Sequence, residues 1–232
     1  LVRNLFPKDK IIGADCSGEN INKDCGSENL QCLINNCKLY KTIGFAFDGD
    51  GDRVVVIDAD GNIINGDKII YILATQFLSR GDAVVGTLIS SKALEKSLNN
   101  IGIRLIRTNV GAKYVYKQMI EENILLGGEP CGHIFFNHTT VSNGLLIAIE
   151  LINILNRTKK SFKQLLENYK ELYIVQKNIS IDNLKENVSL SKYCINNENI
   201  NNNIRKSETE PVIRLMIEGE DKDMVENKLR EI

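Results

Sequence analysis

The chain has 232 residues, 43% of them hydrophobic and 25% charged, with a formal net charge of −1. That length supports one large core or two smaller ones, and the balanced charge excludes the basic footprint of a nucleic-acid binder or of a protein held on an anionic membrane. No apolar run reaches the roughly 20 residues that span a bilayer, and the first residues carry no signal-peptide pattern. The six cysteines (Cys16, Cys25, Cys32, Cys37, Cys131 and Cys194) show no CxxC or Cys/His zinc spacing and read as reduced thiols of a cytoplasmic protein.

In chain order, residues 10–13 read as a strand, followed by a loop rich in Gly, Ser and Asn and a helix near 29–39. The apolar runs 44–47 and 54–57 read as a strand pair around an acidic loop, with a turn at 58–61. A helix is expected over 67–79, a strand over 83–88, a helix over 92–99 and a short strand over 104–107. Next come a helix over 112–122, a strand near 124–126, the loop 127–133, a strand at 134–136 and a long helix over 144–155. Strands alternating with helices of this length argue for α/β layers. Beyond about residue 172 the texture changes: a strand at 174–181, a polar asparagine run over 196–203, a strand at 212–217 and an amphipathic helix at 221–231 read as a small α+β unit.

One loop carries most of the chemistry. Asp48, Asp50 and Asp52 alternate with Gly49 and Gly51, and Arg53 follows. Alternate positions on an extended segment share a face, and the two glycines let the backbone fold tightly enough for the carboxylates to converge. Three negative charges so close repel unless a cation sits among them, and oxygen-only ligands suit a hard divalent ion, Mg²⁺ above others. The plain alternative is an Asp/Gly turn. An EF-hand fails on position, because the places for its Gly and its Glu hold Arg53 and Ala59. An arginine beside such a cluster suits a phosphoryl group.

Five stretches together, 20–27, 48–53, 108–115, 127–133 and 205–211 with Arg214, resemble the phosphohexomutase family in order and approximate spacing. The first and third of these lean toward members acting on glucosamine phosphates, while Ile134, Phe135 and Phe136 are also compatible with a phosphomannomutase/phosphoglucomutase. The resemblance implies mixed-sheet α/β/α domains: a partial second domain (1–63), a complete third (64–172) and a shortened α+β fourth (173–232). It implies an isomerase with Mg²⁺ as cofactor, moving a phosphoryl group between the 6- and 1-positions of a hexosamine phosphate. The family's phosphoserine domain has no counterpart in the sequence. A separate N-terminal fragment carrying that serine is therefore an implied partner, and the chain is expected to be either the C-terminal portion of such an isomerase, inactive by itself, or a non-catalytic remnant that keeps only metal binding.

Residue by residue, the resemblance implies metal binding by Asp48, Asp50 and Asp52, and catalytic roles for Arg53 and His133. Substrate contacts fall to Thr108, Gly111, Lys113, Glu129, Cys131, Arg205, Ser207, Thr209 and Arg214. A structural histidine at position 133 and a simple helix cap at Thr108 are the competing readings. The chain departs from the family pattern where Cys131 replaces a serine, Ala112 and Lys113 replace Asp-Arg, Pro130 replaces a residue with a free N–H, and Glu208 replaces a glycine. A thiol bonds more weakly than a hydroxyl, so lower sugar affinity is expected. Glu208 beside a phosphate dianion is expected to be damaging, and the asparagine run is expected to replace a core strand of the last domain.

Overall fold

The computed structural model describes residues 10–13, 18–137, 142–180, 200–206 and 211–230. Helix α1 (Gln31–Tyr40) precedes strands β1 (Gly44–Phe47), β2 (Val54–Ile57) and β3 (Ile63–Ile64), which form an antiparallel sheet in the order β1-β2-β3. Because β1 pairs with β2 from Phe47↔Val54 to Gly44↔Ile57, the acidic loop is the tip of a hairpin.

Helix α2 (Gly66–Phe77) follows, its start fixed by the Asn65 side chain accepting from the Lys68 N–H at 3.1 Å. Strand β4 (Ala83–Thr87), helix α3 (Lys92–Asn100), strand β5 (Arg104–Thr108), helix α4 (Ala112–Glu121), strand β6 (Leu126–Gly128), strand β7 (Ile134–Phe136), helix α5 (Gly144–Thr158) and the one-turn helix α6 (Phe162–Leu165) complete an α/β/α layer. The sheet order is β5-β4-β6-β7, with β4 parallel to both neighbours and β7 antiparallel to β6. All five residues of β4 are buried, as a parallel strand covered on both faces requires. The main core unites Val54, Val56 and Ile64 of the first sheet with Ile69, Ile70 and Leu73 of α2, Leu94 and Leu98 of α3, and Leu151 and Ile154 of α5. The acidic hairpin therefore rests on the α/β layer rather than standing apart from it.

A third sheet contains β8 (Tyr173–Ser180), β9 (Ile200–Lys206) and β10 (Val212–Gly219), ordered β8-β10-β9 and antiparallel throughout, with α7 (Lys222–Arg230) against it. Its core is Ile200, Leu215, Ile217 and Val225. Among the described residues no helix is long and apolar enough to cross a membrane. Cys25, Cys32, Cys37 and Cys131 are free thiols; Cys16 and Cys194 lie outside the described residues.

Two expectations are corrected. Residues 10–13 form no strand: residues 12 and 13 are a bend, and Gly13 at φ +69° leaves the extended region. The asparagine run does not remove a strand: Asn201, Asn202 and Asn203 lie within β9, paired with Glu218, Ile217 and Met216. Backbone pairing at a sheet edge tolerates polar side chains, and Ile200 and Ile204 supply the inward face at alternate positions.

Candidate metal and sugar-phosphate site

Two hairpin tips meet here. The tip of β1–β2 carries the carboxylates, and the tip of β6–β7 carries residues 129–133. An antiparallel bridge joins Arg53 to His133, and the Val54 N–H donates to the Gly132 carbonyl at 3.1 Å. Gly132 has φ +93°, and a Cβ there would stand 2.1 Å from the Val54 carbonyl oxygen, so this close approach needs glycine.

One ligand atom from each of Asp48, Asp50 and Asp52 lies within 4.8 Å of the others. Oδ1 of Asp48 accepts from the Arg53 backbone N–H at 3.1 Å, and the Arg53 Nε lies 3.5 Å from Asp48 Oδ2 and 3.8 Å from Asp52 Oδ1. Burial, then the hydrogen bond with Asp48 and the charges of Asp48 and Asp50, push the Asp52 carboxyl up to about 6. Asp48 experiences burial in the same upward sense, yet the Arg53 N–H, Asp52 and the Arg53 guanidinium hold it below the ordinary carboxylate range. Asp52 Oδ1 is buried without a hydrogen-bond donor. Carboxylates competing for a proton, with an oxygen left bare among them, fit a hard divalent cation.

His133 Nε2 lies 3.4 Å from Asp52 Oδ2, and its ring stacks on Phe135 with centroids 4.7 Å apart. Burial, with the Arg53 charge acting in the same direction, lowers its pKa against the opposing pull of Glu129, so the imidazole is neutral at physiological pH. It is thus at once packed and aimed at the acidic cluster.

Glu129 is 93% buried (7% exposed), and its Oε1 accepts from the Gly111 N–H at 3.0 Å. That bond ties the loop after β5 to the β6–β7 tip. Cys131 is exposed at the tip, its sulfur accepting from the His133 N–H; burial is the larger influence and pushes the thiol up. Thr108 is the last residue of β5 rather than a helix cap, its hydroxyl meeting the carbonyls of Gly86 at 3.2 Å and Asn109 at 3.0 Å. The residue that caps α4 is Gly111. Lys113 is exposed and lies over the Tyr114 ring at 4.7 Å.

Geometry thus gathers Asp48, Asp50, Asp52, Arg53, His133, Glu129, Cys131 and Gly111 into one site. Arg214 lies on β10, paired through the backbone with Arg205 of β9. Ser207, Glu208 and Thr209 lie outside the described residues, as does the side chain of Arg205. Sequence reasoning missed Ser142, whose hydroxyl reaches the Asp52 carbonyl across 90 residues. It also missed Gly144, whose N–H donates to the Gly51 carbonyl at 2.9 Å. Neither belongs to a spacing that would have marked it.

Residues 65–173 match the family described as phosphoglucomutase/phosphomannomutase, alpha/beta/alpha domain III. The phosphoglucosamine mutase of Thermotoga neapolitana is 36% identical over 234 residues, covering 96% of this chain and 54% of that protein. The phosphoglucosamine mutase of Thermotoga maritima is 38% identical over 245 residues, covering 98% and 55%. A crystal structure of a phosphoglucomutase/phosphomannomutase family protein from Burkholderia thailandensis superposes with a TM-score of 0.74 at 25% identity, over 88% of this chain and 48% of that one. An N-acetylglucosamine-phosphate mutase of the alpha-D-phosphohexomutase superfamily, solved with its substrate, shares the fold with a TM-score of 0.70 at 18% identity, over 90% and 52%. The chain spans about half the length of the curated relatives it matches. With a mixed α/β fold, two hairpin tips closing on an acidic triad, and relatives of one kind along nearly its whole length, the chain belongs to the alpha-D-phosphohexomutase family.

Proposed function

We propose that this chain supplies the metal-binding and sugar-recognition portion of a phosphoglucosamine mutase, an isomerase interconverting glucosamine 6-phosphate and glucosamine 1-phosphate. The observation that carries the reading is the meeting of the Asp48–Asp50–Asp52 cluster with Arg53, His133 and Glu129. The choice of an amino sugar rests on the 36% and 38% identities to phosphoglucosamine mutases.

Asp48, Asp50 and Asp52 would hold Mg²⁺, which when bound neutralises charge on a phosphoryl oxygen. Phosphoryl transfer asks the protein mainly for positioning and electrostatic stabilisation. Arg53 balances negative charge on the migrating group from beside the cluster, anchored by Asp48 and Asp52. The neutral His133 accepts or donates a proton at a sugar hydroxyl through Nε2. Glu129 keeps one carboxylate oxygen on Gly111 and offers the other to a sugar hydroxyl. Cys131 lies beside it as the weaker hydrogen-bonding neighbour, and the loop carrying Thr108, Gly111 and Lys113 faces the sugar phosphate. Arg205, Ser207, Thr209 and Arg214 are proposed as the cradle for the second phosphate. The serine that carries the phosphoryl group is proposed to lie on polypeptide outside this sequence.

A second reading, in which the chain is a non-catalytic remnant that keeps only metal binding, is favoured by Lys113, which is exposed and lies over the Tyr114 ring. Incubating the purified chain with a polypeptide that carries the family's phosphoserine, together with glucosamine 6-phosphate, Mg²⁺ and a hexosamine bisphosphate, and following glucosamine 1-phosphate, separates the two: turnover supports the first reading, and its absence the second. Calorimetric titration with glucosamine 6-phosphate, glucose 6-phosphate and mannose 6-phosphate tests the sugar. Equal heats for all three, or none, would remove the glucosamine assignment.

A further inference from the structure

We propose that Ser142 is a positioning residue for the metal loop: its hydroxyl fixes the Asp52 peptide against the strand that carries His133. Ser142 lies two residues before α5 and is buried. Its Oγ lies 2.7 Å from the Asp52 carbonyl oxygen and 2.9 Å from the Ile134 carbonyl oxygen. A serine hydroxyl has one hydrogen, so that proton is shared between two backbone acceptors, one on each hairpin. Ile134 directly follows His133, and Asp52 carries the carboxylate oxygen left without a donor. A rotation of the 52–53 peptide therefore swings that carboxylate and alters its separation from His133 together.

The neighbouring contacts hold the rest of the loop, and the N–H of the 52–53 peptide itself is held by Asp48 Oδ1 at 3.1 Å, which leaves the carbonyl of that peptide to Ser142. The Gly144 N–H takes the Gly51 carbonyl, and the Val54 N–H takes the Gly132 carbonyl. A Cβ at Gly144 would stand 2.5 Å from the Arg53 carbonyl oxygen, so helix α5 starts in direct contact with the loop. Ligand sets tolerate little displacement, and supporting hydrogen bonds of this kind commonly tune metal affinity by about tenfold or more.

The proposal rests on the metal reading of the acidic loop, and the test separates the two. Mn²⁺ binding is measured by electron paramagnetic resonance on the 232-residue chain, with thermal melts in metal-free buffer alongside. Ser142→Ala is expected to weaken Mn²⁺ binding by about tenfold, and Ser142→Thr to restore it. Asn143→Ala is the control for plain destabilisation of the same segment. Its side chain caps α5 through the N–H groups of Leu145 and Leu146. That variant is expected to melt earlier with Mn²⁺ affinity unchanged. Wild-type affinity in Ser142→Ala, or an equal loss in Asn143→Ala, overturns the positioning role. Failure of the unsubstituted chain to bind Mn²⁺, with Asp50→Asn giving the same blank signal, overturns the metal reading and this inference with it.

Discussion

Replacing Asp67 with asparagine is expected to remove a pH dependence from the stability of the fold. Asp67 lies in the first turn of α2 and is 2% exposed. Its Oδ2 accepts from the Ser91 N–H at 2.7 Å, while Oδ1 is buried without a partner. Burial is the dominant influence and pushes the carboxyl from 3.8 up to about 7, with Glu218 adding to the rise; the Ser91 N–H, Ser90 and Arg107 oppose it. Between those two values the folded chain holds a proton that the unfolded chain has released. Folding stability therefore falls as pH rises through this window and levels off above the folded-state value. The displacement is about 3 pH units, which corresponds to about 4 kcal/mol at most. Asparagine keeps an oxygen for the Ser91 N–H and has no proton to lose. Urea unfolding of both proteins from about pH 4.5 to about pH 8.5, compared by linear extrapolation, reads the effect directly. The two curves should start close and diverge by several kcal/mol in favour of Asp67→Asn. Parallel curves, or a variant that loses ground at high pH, would refute the argument that this carboxyl folds in its neutral form.

Glu218 of β10 is fully buried, with Oε2 accepting from the Ser91 hydroxyl at 2.6 Å and Oε1 from the Lys92 N–H at 2.8 Å. It thus docks the last sheet on the N-terminus of α3, where negative charge is favoured. Glu218→Ala should destabilise the chain by about 3 kcal/mol or more and expose the 172–173 junction to protease, with Glu218→Gln milder; unchanged melting and digestion would contradict this. Gly132→Ala forces a Cβ against the Val54 carbonyl oxygen at positive φ. It should lower the melting temperature and weaken Mn²⁺ binding together, since the two hairpin tips must part. Cys131→Ser should tighten glucosamine 6-phosphate binding by a few fold in calorimetry, because a hydroxyl bonds a sugar better than a thiol does; weaker binding would show that the sulfur contributes something a hydroxyl does not.

The elements that sequence reading found best are those with a local signal. Strand β4 is a continuous apolar run because its neighbours cover both faces. Helix α3 is marked by Ser91, which accepts from the Ala93 N–H at 3.0 Å. Strand β9 was misread because Asn201, Asn202 and Asn203 carry no apolar alternation, although its partner β10 is the next strand in the chain. The short pieces β3 and α6 were missed because two and four residues carry too little periodicity to register.

The alternation of Asp48, Asp50 and Asp52 around two glycines is a local fact, and by itself it determined where a cation could be gripped. The resemblance named Arg53, His133 and Glu129 as its companions, but how they are brought to that place, and the part of Ser142, was decided by tertiary structure alone. Arg53 and His133 are joined by a backbone bridge, Glu129 spends one oxygen on Gly111, and Ser142 reaches Asp52 from 90 residues away. Hydrogen bonds between hairpin tips depend on how two sheets pack on one core, and no spacing along the chain encodes that distance.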